Sequence, residues 1–595
     1  MKWEDLPETV DVLIVGAGPT GLTVAMNLKK YGIDALCIDD RDRIEIADSK
    51  CTSVQTRTIE IFEELGITER VIDEQSKVYG LIFRRLTGDK LKPFMSVTDQ
   101  HFRTDSAFAY ALSCPQWKIE TSILEALRER GGDVLFSTRL ESFEQDDDGV
   151  NAQMVHRPSG EKKTIRARYI AGCDGVRSTV RDQLNIQRTG RVYKDFFIIA
   201  DIHVKFFNYA LDKRHTVCSD EHHIHIAPLG DQFFRMFITI HDGYVTAEHR
   251  NLWTGTCKPD DDAWKATMAW FQARVDEYGL PWRLYDPVRF STYEVFLGYA
   301  NHAGKGRAFL AGDAGHSHSP HGGQGMNTGV QDGHNLAWKL ALTLRGEMKD
   351  IVLQSYITER EAIWHDLVER TDTVKNVVER RSSSMRLITD WMLPMLPDPF
   401  YNEVARRGSQ LTLRYEESEL NCDEWPSSAL GSLAAKLGRA IRVGERAPDG
   451  ICQLMPTDGD ALRTRLHRVL YGGGKAAKFM LLFFVDQSNP TPDFSEYEGF
   501  FDALSTKIRA ESIEAYAVVP DGTKHFSTRL PALIDTEGEL AERYGAHKGG
   551  VFILRPDAYI AYRHPAFSHE SLLRYLSRLF HSPATTSTKE GKPAA

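Results

Sequence analysis

The sequence contains no run of eighteen or more apolar residues, which excludes a membrane-spanning helix. None of its eight cysteines (37, 51, 114, 173, 218, 257, 422 and 452) forms a Cys-X-X-Cys pair. That argues against a zinc site, a dithiol redox centre and a disulfide framework, and points to reduced, buried thiols in a cytoplasmic protein. Basic charge is not in excess. Lys and Arg number 73 against 83 Asp and Glu, a net charge of −10, which argues against a nucleic-acid partner. The opening MKWEDLPETVDVLIVG has no basic segment followed by an apolar run and a cleavage site, so neither a signal peptide nor a membrane partner is expected. No internal repeat is visible. A chain of 595 residues exceeds one core, and roughly three to four domains are expected.

The order of elements is legible. Residues 10–38 read as strand, glycine turn, helix and strand, with apolar Leu22, Val24, Ala25 and Leu28 on the helix and Gly32 ending it. Helices are predicted at about 56–65, capped by Gly66, and at about 116–130. Residues 77–109 and 186–299 are rich in alternating, aromatic-containing strands such as HHIHIAPL and QFFRMFITI. Helical periodicity returns at about 327–375. The fold class is therefore α/β. A Rossmann-like dinucleotide domain (1–76, 110–185 and 300–380) is interleaved with a β-sheet substrate domain (77–109 and 186–299). Residues 381–440 read as a helical connector and 441–581 as a separate α/β unit. That unit has strands at about 477–485, 513–519 and 550–554 and helices at about 493–508 and 568–580. The small polar tail 582–595 reads as disordered.

Three segments carry chemistry. The first is Gly16-Ala17-Gly18-Pro19-Thr20-Gly21, between an apolar strand and a helix. Gly16 permits the tight turn, Gly18 lets a pyrophosphate approach the backbone, and Gly21 lets helix and strand pack. An acid about 20 residues on should bind ribose hydroxyls; Asp39 or its neighbour Asp40 fits, with Arg41 beside them. The second is Cys173-Asp174-Gly175, which ends an apolar strand and would alone be an ordinary turn. The third runs from Ala311 to Lys339. Gly312-Asp313 ends a short strand, and Asp313 would bond a polyol such as a ribityl chain. Pro320-His321-Gly322-Gly323-Gln324-Gly325-Met326-Asn327 then opens a helix, whose N-terminal N–H groups favour a negatively charged ring. His316, His318 and His321 could suggest a metal. They lie in a loop with no carboxylate partner, and no metal is expected.

Together these segments resemble the FAD-dependent, single-component aromatic hydroxylases, the class A flavoprotein monooxygenases. GDAGHSHSPHGGQGMNTGVQDGHNLAWKLA, VQTRTIEIFEELGI and SCPQWKIETSILEAL are most similar to the phenol 2-monooxygenase and 3-hydroxybenzoate 4-monooxygenase branch. The resemblance covers about residues 8–375. It implies FAD, with NADPH as donor and NADH as the alternative, and the small-molecule partners O2 and a phenolic aromatic substrate. It places Gln55 and Gln116 along the flavin, Arg57 among the cofactor residues, Gly312 and Asp313 at the ribityl chain, and Pro320, Gly323, Gly325, Met326 and Asn327 at the ring. Asp174 and Gly175 would serve FAD and the nicotinamide donor. The implied chemistry is reduction by NAD(P)H, oxygen addition to give a flavin hydroperoxide, and attack by an electron-rich ring. Oxidative decarboxylation of a carboxylated phenol, another flavoenzyme chemistry on the same fold, and a non-catalytic FAD-bound protein are the alternatives. In the C-terminal unit, GGVFILRPDAYIAYR resembles the branch's thioredoxin-like extension. Lacking Cys-X-X-Cys, it reads as structural or as a dimer contact, and a homodimer is expected.

The substrate half departs from the family. Thr52 stands at the position of the branch's acid, and Leu229 and Phe237 stand where the branch has Arg and Tyr, while Arg235 is retained. The expected catalytic set is therefore His223, His225, Tyr110, Arg235 and Pro320.

Overall fold

The strand Thr9–Val15 is continuously apolar and buried from Val12 to Val15, and it has a neighbour on each side. In the computed structural model it pairs in parallel with Lys162–Gly172 and with Ala35–Ile38. Lys162–Gly172 pairs in parallel with Ala308–Leu310. Parallel strands share a carboxyl edge, where doubly wound sheets bind ligands. This one delivers Gly16, Asp39, Asp174 and Gly312 to the same edge. The helix Pro19–Lys30 follows the first strand and presents a continuous buried row from Gly21 to Leu28.

The structure describes residues 2–583 less 46–50, 74, 88–89, 99, 101–104, 231, 253, 257–261, 318–322, 380–394, 427–440, 457–460, 477, 490, 510, 525 and 528. They divide into two units: Met1–Ala337, Ile357–Arg414 and Gly472–Ala476 form the first, and Trp338–Tyr356, Tyr415–Tyr471 and Ala477–Ala595 the second. Residues 381–394 and 427–440 of the connector and most of the 582–595 tail lie outside the described residues. Within the connector, Asp398–Gly408 is helical.

The first unit also contains an eight-stranded sheet, ordered Gly255–Thr256, Arg283–Tyr293, Phe196–Lys205, Phe233–Ile240, His222–Gly230, Arg214–Cys218, Leu81–Thr87, Lys90–Val97. Alternation along its strands sends Ile198, Ile224, Ile226 and Met236 into a core with Trp270 and Phe271 of the helix Asp262–Glu277. The opposite face carries the polar and charged residues described below. A short sheet of Ser53–Val54, Ala111–Ser113 and Ser76–Val78 contacts the strand His222–Gly230. The predicted helical region at 327–375 is two helices, Gly325–Leu344 and Asp350–Glu379. Between them the chain turns at Gly346, which has φ +67°.

The second unit has its own eight-stranded sheet and core. Phe479–Asp486, Ile513–Pro520 and Ala532–Asp535 run parallel, while Lys548–Leu554 and Ile560–His564 add antiparallel strands. The predicted strands and helices are present. The structure adds the strands Ile451–Met455, Leu462–Arg465, Ala532–Asp535 and Ile560–His564 and the helix Glu539–Tyr544. Among the described residues, no helix is long and apolar enough to cross a membrane.

Candidate active site

The phosphate turn is closed by backbone contacts. Gly16 has φ +102°, and a Cβ there would overlap the carbonyl of Cys173; a Cβ on Gly21 would overlap the carbonyl oxygen of Gly16. Beside Gly18, no described atom lies within 4 Å of where a Cβ would stand. Gly18 is the N-cap of the helix Pro19–Lys30 and offers no side-chain cap, so the helix N-terminus presents bare N–H groups to that open space. Asp39 ends the second strand. Its Oδ2 accepts from Ala17 N at 2.6 Å and its Oδ1 from Arg41 N and Nε at 2.8 and 3.0 Å. Asp40 points away to Arg157, 2.8 Å distant, so Asp39 is the acid at the turn. Asp174 Oδ2 accepts from Val180 N at 3.1 Å, while its buried Oδ1 has no partner among the described residues. Burial, opposed by the Ser178 hydroxyl, pushes this carboxyl up. Gly175 follows at φ +73°. Open space at Gly18, a bare helix end, a strand-end carboxylate and an orphaned acceptor fit an adenine dinucleotide.

The second turn is held from beneath. Asp332, fully buried, accepts from Gly312 N and His316 Nε2, both at 2.8 Å, from Arg360 Nε at 2.6 Å and from Trp364 Nε1 at 3.2 Å. Burial pushes its carboxyl up, but Arg360 and His316 outweigh it and hold the group below the usual carboxylate range. Asp313 is left exposed on the outer side of the turn. Thr20 wedges under Gly312 and Gly329, its Oγ1 lying 2.5 Å from where either Cβ would stand. Further along, Gly323 has φ +62° and rests on Ser53. Asn327 staples the two segments: Nδ2 donates to Ser53 O at 2.8 Å and Gly323 O at 2.7 Å, and Oδ1 accepts from Gln55 N at 2.8 Å. Gly325 and Met326 open the helix. Pro320, expected at this edge, lies outside the described residues, as do His318, His321 and Gly322.

A strap secures this turn. Gln410, buried and at φ +62°, accepts from Gln331 Nε2 at 2.7 Å and donates to Thr328 Oγ1 at 3.0 Å. Gln324 Nε2 donates to Gly408 O at 3.2 Å, and Arg57 N to Ser409 O at 3.1 Å.

Gln55 is buried beside Asn327. Gln116 accepts from Cys51 N at 3.3 Å and donates to Glu120 at 2.8 Å. Arg57 was expected among the cofactor contacts. Its guanidinium is 1% exposed and paired with Glu60 at 3.0 Å and Glu64 at 3.3 Å, so it belongs to an internal charge network. Glu64 also lies 2.8 Å from His334 Nε2. Burial pushes the Glu64 carboxyl up, but His334, Arg57 and Lys30 outweigh it and hold it at about 2.

The polar sheet face is built by cross-strand register. Asp201 stands opposite both Arg235 and Arg289. It accepts from Arg235 Nε and Nη2 at 2.6 and 2.7 Å and from Arg289 Nε at 2.9 Å, all fully buried. Arg235 Nη1 donates to Cys51 O at 2.8 Å and Thr52 Oγ1 at 3.1 Å, joining this face to the segment that leads into Ser53 and Gln55. Arg235 therefore stands at the junction.

His225 and His223 lie farther along the same face, opposite Phe237 and Thr239. His225 Nδ1 lies 2.7 Å from Thr216 Oγ1 and its ring faces Phe237 at 5.9 Å. His223 is buried, its Nε2 3.3 Å from His241 Nε2. Leu229 is buried on the same strand. Tyr110, half-buried, packs edge-on against Tyr79 and Phe108 at 5.7 and 6.2 Å, and burial pushes its phenol up. Asp201, Arg289, Asp332, Arg360 and Gln410 did not stand out from the sequence. A hint was present in Asp201, a lone carboxylate inside FFIIADIHV.

A family model described as "FAD binding domain" matches residues 9–371. Pentachlorophenol 4-monooxygenase of Sphingobium chlorophenolicum is 27% identical over 576 residues, covering 92% of this chain and 93% of that protein. 6-Methylpretetramide 4-monooxygenase of Streptomyces rimosus is 26% identical over 589 residues, covering 98% and 96%. Among solved structures, the flavin-dependent monooxygenase PieE, in complex with FAD and substrate, superposes with a TM-score of 0.72 at 22% identity, covering 96% of this chain and 100% of that one.

Proposed function

The chain belongs to the FAD binding domain family, and from that premise we propose that it is an FAD-dependent, NAD(P)H- and O2-consuming monooxygenase that hydroxylates a phenolic aromatic compound. What carries the reading is the segment 51–55. Its end at Ser53 and Gln55 is stapled to the Gly323–Asn327 turn, and its start at Cys51 and Thr52 is bonded by Arg235 of the sheet face. A ring at the turn and an aromatic ring on the sheet face would thus be neighbours. Relatives that this chain spans almost end to end act, by name, as monooxygenases on pentachlorophenol and 6-methylpretetramide.

Gly16, Gly18, Pro19, Thr20, Gly21, Asp39 and Arg41 would hold the adenine dinucleotide half. Asp174, Gly175, Gly312, Asp313, Gln55, Gln116 and the Gly323–Asn327 turn would hold the ribityl and ring half. Bound FAD would supply the redox chemistry, taking a hydride from the nicotinamide donor and passing one oxygen atom of O2 to the ring while the other leaves as water. The protein's own part is placement and field. Asp332 fixes the Gly312 turn, and the helix starting at Gly325 directs its N-terminus at the ring, where negative charge is favoured. Arg235 orients the 51–55 segment, and its field favours the phenolate form of a nearby phenol, which is the electron-rich form. His223 and His225 are the candidates to accept the phenolic proton, and Tyr110, whose phenol is pushed up by burial, to donate a hydrogen bond to the substrate oxygen. For the second unit we propose a thioredoxin-like fold with a structural role, a reading supported by its three parallel and two antiparallel strands.

Purified protein should be yellow and should consume NAD(P)H and O2 in a phenol-stimulated way. With 18O2, the product should gain one labelled oxygen atom. A colourless, FAD-free protein after gentle purification, or unlabelled product, would overturn the reading.

A further inference from the structure

Arg214 opens the strand Arg214–Cys218 on the polar face. His215 stands opposite Ile226, and Ala227 opposite Arg235, so Arg214 lies beside Ala227 at the end of a row that continues through Arg235, Asp201 and Arg289. Ala227, the shortest side chain in the row, separates the two arginines. Three guanidiniums in the row thus face one carboxylate.

Arg235 and Arg289 share Asp201, whereas Arg214 pairs with no carboxylate among the described residues. It is 7% exposed. Its Nη2 donates to Leu112 O at 2.7 Å and its Nε to Ser113 Oγ at 3.3 Å. A guanidinium has five N–H donors, so the Nη1 group and one Nη2 hydrogen remain for another acceptor. A buried cation without a counter-ion is costly, and burial lowers Arg214 to about 10. Such a charge becomes favourable once an anion arrives. The anion would stand close to the chemistry. Leu112 and Ser113 pair with Val54 and Ser53, and Ser53 supports the Gly323 turn. Cys51, bonded through its carbonyl to Arg235, lies within the fields of both Arg235 and Arg214.

We infer that Arg214 anchors a carboxylate on the aromatic substrate through its Nη1–Nη2 edge, so that the enzyme acts on a hydroxylated aromatic acid. The inference rests on the monooxygenase reading and names its substrate class. A planar fork of two N–H donors matches a carboxylate in two-point contact, which a neutral phenol does not provide.

The test titrates the flavin absorbance of the holoenzyme with 2-, 3- and 4-hydroxybenzoate and with the matching hydroxybenzamides. At least one hydroxybenzoate should bind about tenfold or more tightly than its amide. Arg214→Gln should weaken that benzoate by about 30-fold or more, change the amide by less than about threefold, and leave FAD content intact. Arg214→Lys should restore part of the preference. Equal binding of acid and amide in the wild type, no response to any benzoate, or a preference surviving in Arg214→Gln overturns the inference. Tighter binding of 4-nitrophenol than of every benzoate also overturns it, by putting a phenolate in the anion's place. Should Arg214→Gln not fold, the wild-type ratio and Arg214→Lys still decide. Absence of FAD or of NAD(P)H oxidation would instead strike the monooxygenase reading. A wild type that hydroxylates neutral phenols with no preference for acids defeats this inference alone.

Discussion

The two halves of the candidate site are held by different means. The glycine turns at 16–21 and 312–329 are shaped by close approach: Gly16 and Gly21 meet backbone carbonyls, and Gly312, Gly323 and Gly329 meet the side chains of Thr20 and Ser53, with space too small for one more carbon. The sheet face around Arg235 is shaped by side chains that meet across strands, bound by charge. The first kind of construction tolerates almost no substitution and suits a cofactor of fixed shape. The second can be altered one side chain at a time, as a substrate pocket must be if related chains are to act on different rings.

The contrast can be broken most sharply at Gly21. Gly21→Ala forces a Cβ onto the Gly16 carbonyl and should abolish holoenzyme, with a stability loss of more than about 3 kcal/mol. Gly18→Ala meets nothing in the protein and should keep the fold while weakening FAD by about tenfold. Flavin absorbance per protein and thermal melting distinguish them; equal behaviour of the two variants would refute the backbone account. Asp201→Asn probes the other half. It leaves Arg235 and Arg289 without their shared carboxylate and should cost about 3–5 kcal/mol in denaturant unfolding while the folded fraction still binds FAD.

Acid tests the frame behind both halves. The Glu64 carboxyl is held at about 2, below its ordinary 4.5, so its contribution is complete above pH 4.5 and is lost as pH falls toward 2. It amounts to about 3 kcal/mol. Unfolding curves across that window should steepen for the wild type and flatten for Glu64→Gln; parallel curves would dismiss the network. The smallest effect is expected at Thr52. Thr52→Val removes one acceptor of Arg235 Nη1 while Cys51 O remains, and should cost less than about 1 kcal/mol and shift KM a few-fold with FAD content unchanged.

The same division decides what could be read before any coordinates. Gly16, Gly18 and Gly21 are neighbours in sequence, and a strand–turn–helix signal is local, so the phosphate turn was legible along with the strand-end acids Asp39 and Asp174. The partners on the sheet face are not local. Asp201 meets Arg235 from 34 residues away and Arg289 from 88, and alternation tells which residues share a face but not which strands adjoin. Asp332 looked like one more polar residue on a helix until Arg360 on the next helix met it. Arg57 was expected at the cofactor from the family resemblance. The two carboxylates one and two turns along its own helix, Glu60 and Glu64, turn it inward instead. In the second unit, Ala532–Asp535 was missed because four residues after a proline carry too little alternation to mark a strand.

The strap at Gln410 bears on the order in which the protein assembles. Its contacts to Thr328 and Gln331 span 82 and 79 residues, and the parallel sheet itself waits for Ala308–Leu310 to reach Lys162–Gly172. During synthesis at about 5–20 residues per second, roughly 4–16 seconds separate the emergence of Gln331 from that of Gln410. Over that interval the nascent chain has every glycine turn but not the clamp across the ring-side one. Loading of the cofactor therefore belongs late in translation, and riboflavin starvation should expose the nascent protein to proteolysis around residue 325 rather than around residue 16.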